Sequence, residues 1–576
     1  MSENKLAVRT LNEARRLDPL AYLSLRYTLD GKISQNNRWA REVAPIVVHR
    51  NSEPGFVKTR LFKQVDKNGK PEFRTVFMPG GPQLLAEAAL IDACSRTGPA
   101  FKPGKGIYSY RFAKRYSADG IFTPYFELFS ERQTAIGAAC KRRPDDWVLY
   151  ADIKKFYPSI TSGRIATAWR DTCDNSGIST HWKAFGHELI ERQFTLGEGL
   201  LIGPMFSHLL GNILLRDLDE KMRSAFPSRY FRYVDDFALV IPKEKKNESL
   251  KILRRELAGL GLRLNRNKIF FMKAATWKEN APFQMADYTD EPIGDHTWMR
   301  FIDNLKCYLM AHPEQRDDVA ANFRDAELRI PIPRYEAATH EKTYGNRFLE
   351  RLQSGFFVER VSGLTARALV AEGQQLRQRY LSEFEVLWPE YTTTEGLHRR
   401  WKLSRVRYLI GRLLLTGTME QVGKLSRIIA PEPEVAEYSA MLSTLVNGDA
   451  EVLLPFGWKV AAAAAQPLAA AGIRLRCQPK RWQREALEAY TALCVAGVEV
   501  DAELSAHALK QHRIMAVHGG YDSGLWAKTK DPFYREFFAL ARGNSFAEHK
   551  QKIQTPLDPD EKWEVFADEL LGLDPT

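Results

Sequence analysis

Two adjacent aspartates, Asp235 and Asp236, lie in the segment Tyr230-Phe231-Arg232-Tyr233-Val234-Asp235-Asp236-Phe237-Ala238-Leu239-Val240-Ile241, between two apolar, β-prone runs. Adjacent carboxylates at a tight turn repel each other unless a cation stands beside them, and a divalent metal would offset that repulsion. The plain alternative is an ordinary acidic turn. A third aspartate, Asp152, ends the apolar run Val148-Leu149-Tyr150-Ala151 and precedes Ile153-Lys154-Lys155-Phe156-Tyr157-Pro158. Alone, Asp152 reads as a helix cap or turn former. Together with Asp235 and Asp236 it could hold two Mg²⁺ ions, one activating a 3′-hydroxyl and the other steadying a leaving pyrophosphate. Phosphoryl transfer of that kind needs positioning and charge neutralisation more than a covalent nucleophile. Lys268 could protonate the departing pyrophosphate, or could simply be solvated.

The elements needed to bring these side chains together can be read around them. The paired aspartates suit the tip of a β-hairpin, and Asp152 suits a strand end. Between them, Gly197-Glu198-Gly199-Leu200-Leu201-Ile202-Gly203-Pro204 forms a glycine-rich loop. Its glycines, Gly203 among them, permit close approach of backbone to a ligand. Pro204 suits the first turn of a helix running towards Met222. A second helix ends near Gly259, and a strand is expected after it, before Lys268. Upstream, Phe56–Phe62 and Phe73–Phe77 flank the turn signal Asp66-Lys67-Asn68-Gly69-Lys70 and read as a hairpin, with a helix over Leu84–Cys94. Beyond about residue 300 the pattern turns helical, as at Leu403, Val406, Ile410, Leu413 and Leu414.

Composition narrows the function classes. The chain has 576 residues, 44% apolar and 27% charged, which excludes disorder, collagen and disulfide scaffolds as overall classes. Its formal charge of +12 favours a polyanionic partner such as nucleic acid, with a basic solvated surface as the bland alternative. The six cysteines form no C-x-x-C pair, which argues against zinc and against disulfides and for a reducing compartment. No apolar run is long enough to cross a bilayer, so a cytoplasmic location without membrane contact is the expectation.

In their order along the chain, these segments resemble the reverse transcriptase palm, over roughly residues 55–275. Asp152 matches the first-motif aspartate, and Tyr233-Val234-Asp235-Asp236 matches the Tyr-x-Asp-Asp box. Lys268 matches the lysine that follows the Gly-Leu of a later motif. The resemblance implies that the backbone carbonyl of Ile153 joins Asp152, Asp235 and Asp236 as a metal ligand. It also implies two Mg²⁺ ions, with Mn²⁺ as an alternative, and dNTPs as substrates. Gly199 to Ser207, including Gly203 and Pro204, resembles the loop and helix under the templating base. Arg74 and Pro79 resemble the fingers segment that grips the triphosphate. Tyr157 resembles the aromatic that collides with a 2′-hydroxyl and so selects deoxynucleotides.

The expected fold is α+β: fingers and palm followed by an all-α, helical-repeat-like C-terminal domain. The domains expected are an N-terminal helical extension over 1–54, fingers and palm over 55–299, a helical domain over 300–555 and an acidic tail over 556–576. Retron and group II intron signatures are absent, and the layout resembles the bacterial abortive-infection reverse transcriptases. That resemblance implies antiphage defence, RNA or DNA as partner, homo-oligomers and, in some members, priming from a protein hydroxyl. Two other readings share the sequence: a polymerase of a mobile element or host repair pathway, and a catalytically silent nucleic-acid-binding scaffold. Two basic, aromatic-bearing stretches, His398–Arg412 and Arg474–Arg484, are candidate nucleic-acid contacts.

Overall fold

A computed structural model describes residues 56–503 apart from 67–68, 114–119, 278–297, 333–363 and 480–481, with isolated positions between 6 and 25. The acidic tail and most of the N-terminal extension lie outside the described residues. Strands β1 (Phe56–Val65) and β2 (Pro71–Pro79) pair antiparallel. Their turn is closed by Asp66, whose carboxylate accepts the Lys70 amide at 2.8 Å, and by Gly69 at φ +76°. That positive φ is why glycine stands there. Helix α1 (Gly81–Arg96) follows, with Pro82 in its first turn.

The central sheet has four antiparallel strands in the order β4-β5-β3-β6: β3 (Trp147–Asp152), β4 (Tyr230–Tyr233), β5 (Asp236–Ile241) and β6 (Phe270–Lys273). Alternation of side chains sends Val148, Ala238 and Val240 to one face, where they meet α2 (Tyr125–Arg142). Leu149, Ala151, Phe237 and Leu239 go to the other face. There they are covered by α3 (Ser162–Asp174), α4 (Thr180–Leu196), α5 (Met205–Leu214), α6 (Arg216–Ala225) and α7 (Lys246–Gly259). The single helix expected from Pro204 to Met222 is two, because Leu215 at φ −87°, ψ 2° breaks the helical path between α5 and α6. The strand expected after α7 shrinks to one bridge, Leu264 to Ile153, followed by a 3-10 turn over Arg266–Lys268.

The C-terminal half comprises α8 (Trp298–Ala311), α9 (Arg316–Asp325), α10 (Ala366–Thr393), α11 (Gly396–Thr416), α12 (Met419–Ile429), α13 (Ala436–Asn447), α14 (Trp458–Ala471) and α15 (Arg484–Val495). Leu403, Val406, Ile410, Leu413 and Leu414 are all buried on α11, as their spacing predicts. The all-α expectation is corrected here. Strands β7 (Arg474–Cys477) and β8 (Glu499–Ala502) pair in parallel around α15. Gly472 at φ +66° ends α14 and turns the chain into β7, where Leu475 and Cys477 point inward while Arg474 and Arg476 point out. Among the described residues, no helix is long and apolar enough to cross a membrane.

The β1/β2 hairpin packs against the C-terminal half. Val76 and Met78 belong to the core of the C-terminal half, and Phe62 packs edge-on against Phe456, with ring centroids 5.1 Å apart. Buried Thr59 accepts from Trp458 Nε1 at 3.0 Å and donates to Glu488 Oε2 at 3.1 Å. Arg60 pairs with Glu485, and Arg484 donates to the Lys58 carbonyl.

Candidate active site

The pairing of β3 with β5 sets Asp152 directly opposite Asp236. Strands β4 and β5 are joined by the two-residue loop Val234-Asp235, since Tyr233 pairs with Asp236. Tight right-twisted hairpins want a positive φ in such a loop, and Val234 supplies it at +53°. A β-branched residue there is strained. Arg232, 1% exposed, holds it: its Nη1 donates to the Val234 carbonyl at 2.7 Å. The rest of that guanidinium grips Asp219 through Nε (2.8 Å) and Nη2 (2.7 Å). Removing one partner of such a buried pair typically costs about 3–5 kcal/mol. The Asp235 carbonyl accepts the Ile153 amide at 3.1 Å, so the loop is stitched to the end of β3.

The same strand end is held from its other side. Asn265 N donates to the Asp152 carbonyl and Lys154 N to that of Arg263, each at 2.8 Å. Asn265 caps the 3-10 turn that carries Lys268. Lys268 Nζ thereby reaches Asp152 Oδ2 at 2.7 Å. The structure thus brings Asp152, Ile153, Asp235, Asp236 and Lys268 to one place.

Burial, then the neighbouring Asp236 and Asp152, push the Asp235 carboxyl up to about 7. Burial likewise raises Asp236, opposed by the Arg132 guanidinium and by a hydrogen bond from Tyr150. Arg132 is fully buried on α2, lies over the Tyr150 ring and donates to the Asp236 carbonyl at 3.2 Å. Three carboxylates crowded out of water in this way call for added positive charge. Their all-oxygen donor set suits a hard cation such as Mg²⁺. Among the described residues, no group of three or more His, Cys, Asp or Glu side chains is arranged to hold an ion unaided. Further ligands would have to come from water and substrate phosphates, as is usual for Mg²⁺.

The glycine-rich loop threads between two backbones. A Cβ on Gly199 would stand 2.5 Å from the Pro158 carbonyl oxygen, and one on Gly203 (φ +123°) 2.4 Å from that of Phe77. Leu200 N donates to the Tyr157 carbonyl and Phe77 N to the Ile202 carbonyl. Pro204 is the residue just before α5 rather than within its first turn. Gln193 accepts from Leu201 N and Ser207 Oγ, and Glu87 on α1 accepts the Phe206 amide at 3.1 Å.

Tyr157 lies in a 3-10 turn beside this loop, with its hydroxyl 2.9 Å from His208 Nδ1. Burial lowers His208 to about 3, so the ring is neutral, and it stacks on Tyr110 with centroids 4.1 Å apart. Gly211 on α5 leaves room for the rings of Phe156 and Tyr157. Arg74 stands exposed on β2, and among the described residues it forms no hydrogen bond or ion pair with the three carboxylates. Arg132, Arg232, Glu87 and His208 had no role assigned from sequence. Only Arg232 carries a local hint, as a cation inside an apolar strand run.

The basic stretch on α11 differs from the expected phosphate-binding face. Arg399 pairs with Glu432 and Glu434, Lys402 with Glu390, Arg405 with Glu383 and Arg407 with Glu437. On the second stretch Arg484 pairs with Glu488, while Arg474 and Arg476 are exposed.

Residues 94–321 match the family model described as reverse transcriptase (RNA-dependent DNA polymerase). No curated protein matches the sequence. Among solved structures, the chain is similar to telomerase from Candida albicans in complex with a TWJ fragment of telomeric RNA. That likeness has 10% identity and a TM-score of 0.28, covering 73% of this chain and 64% of that one. It is also similar to telomerase from Candida tropicalis in complex with the same kind of fragment, at 11% identity and a TM-score of 0.28, covering 70% of this chain and 67% of that one. The chain thus spans about two thirds of the length of these telomerase chains. The sheet that sets Asp152 across from Asp236 lies within the residues that match this reverse transcriptase model.

Proposed function

We propose that the protein is a Mg²⁺-dependent DNA polymerase of the reverse transcriptase class that acts in bacterial antiphage defence by abortive infection. The observation that carries the chemistry is the register placing Asp152 opposite Asp236, with Asp235 tied to Ile153 beside them. Bound divalent cations would supply charge neutralisation and activation of the attacking hydroxyl. Asp152, Asp235, Asp236 and the Ile153 carbonyl are the residues proposed to hold them. Lys268, already beside Asp152, is placed to donate a proton to a leaving pyrophosphate. Tyr157, braced by His208, blocks the space a 2′-hydroxyl would take. Gly203 and Pro204 shape the nucleotide-facing loop, and Arg74, exposed on β2, is available to a triphosphate.

The defence role rests on layout. A palm and fingers are followed by a long helical half in which α10 packs on α11 and α12 on α13, in keeping with a helical-repeat domain. RNA or DNA as template, dNTPs as substrates and self-association belong to the same reading. Asp235→Asn combined with Asp236→Asn should abolish dNTP incorporation in Mg²⁺ while the circular dichroism spectrum and melting curve stay native. It should also abolish protection of cells challenged with phage. Full incorporation by the double variant would reject the polymerase. Lost incorporation with intact protection would favour a silent scaffold.

A further inference from the structure

A cavity of about 450 Å³ is lined by residues of α5, of α6 and of the loop that follows α1. Its size lies within the ~300–1,000 Å³ common for small-ligand sites. One wall is apolar, built by Pro99, Phe101 and Pro103. Arg216 and Arg223 from α6 also line it, together with exposed Lys102.

Asp217, Asp219 and Glu220 act on Arg216 at longer range, but no carboxylate closes on these cations. Among the described residues, neither Arg216 nor Arg223 forms an ion pair, and Arg223 donates only to the Asp219 backbone carbonyl, at 3.4 Å. Burial lowers Arg216, opposed in part by Glu220, Asp217 and Asp219. Gly104 lets Arg223 lie close, since a Cβ there would stand 2.9 Å from Arg223 Nη1. Asp219 adds little negative charge to the cavity, being bound at both oxygens by Arg232. Glu220 is the other lining carboxylate and is exposed.

The geometry points to a second ligand site, separate from the carboxylate centre, for a phosphate-bearing small molecule of nucleotide size. Its phosphate would lie against Arg216 and Arg223 and its flat apolar part against the Pro99–Pro103 wall. The site also touches the hairpin. Arg232, which lines the cavity, is the residue whose Nη1 holds the Val234 carbonyl. A ligand there could act on the tip that carries Asp235 through this guanidinium.

The test uses the full chain carrying Asp235→Asn and Asp236→Asn, in buffer with EDTA, so that the carboxylate centre does not take part. ATP, adenosine and inorganic phosphate are titrated by calorimetry. ATP should bind one-to-one, adenosine should not bind, and Arg216→Gln with Arg223→Gln should weaken ATP by at least about tenfold, as loss of charge-assisted contacts implies. Lys102→Ala, at an exposed position that threatens no packing, should weaken it about threefold. Inorganic phosphate binding as tightly as ATP would overturn the nucleotide-sized ligand, since the apolar wall would then contribute nothing. Absence of saturable ATP binding, or affinity unchanged in both variants, would overturn the proposal. So would a single-stranded oligonucleotide that binds more tightly than ATP and is lost in the same variants, since the cavity would then be part of a nucleic-acid path. None of these outcomes depends on whether the parent chain incorporates dNTPs.

Discussion

Buried charges at and near the carboxylate centre hold neighbouring backbone in place, as Arg232 does at Val234 and Arg132 at Asp236. Glu87 is the plainest case. It is fully buried on α1, accepts the Phe206 amide at the start of α5, and burial pushes its carboxyl from an ordinary 4.5 up to about 7. The folded state therefore keeps a proton that the unfolded chain releases. The resulting support is complete below about 4.5 and fades as the pH rises through about 7. Glu87→Gln carries no charge at any pH. It should melt higher than the parent at pH 8, by about 2–4 °C per kcal/mol recovered, and level with it at pH 5. Equal melting at pH 8 would mean that the bonds to the ionised carboxylate fully offset its burial. The aspartates were legible in the sequence because they interrupt apolar runs. Glu87, Arg132 and His208 were not, because local sequence does not reveal which charged or polar residue of a helix faces inward.

Among the elements, the glycine-rich loop couples the β1/β2 hairpin to α5. Gly203 adopts a φ of +123° with no room for a side chain beside the Phe77 carbonyl. Gly203→Ala should cost about 1–3 kcal/mol, detach Ile202 from β2 and lower dNTP incorporation. Gly163→Ala on α3, where nothing lies within 4 Å, should instead be neutral or stabilising by up to about 1 kcal/mol. Equal incorporation by the two variants would show that the loop need not touch β2. The β1/β2 turn and the β4/β5 hairpin could be read directly, since turn residues or paired aspartates sit between β-prone runs. The break at Leu215 could not, because leucine favours helix and the chain bends there only through packing. Strands β7 and β8 were hidden by brevity. Four residues of alternation do not stand out against helices on either side.

On the scale of the whole molecule, the β1/β2 hairpin is common to both halves. Glu488, 1% exposed, ties it to α15 through Thr59 and Arg484. Glu488→Ala leaves the buried Thr59 hydroxyl without its acceptor and should cost about 1–3 kcal/mol. Faster amide hydrogen exchange in β1 and β2 should accompany the loss. Unchanged exchange there would mean that apolar packing alone holds the hairpin.

Because Val76 and Met78 belong to the apolar core of the C-terminal half, a gene fragment stopping near residue 321 would remove much of the core they join and leave a greasy ribbon exposed. Such a fragment is expected to clump rather than work alone, so the two halves can be inherited, expressed and engineered only as one unit.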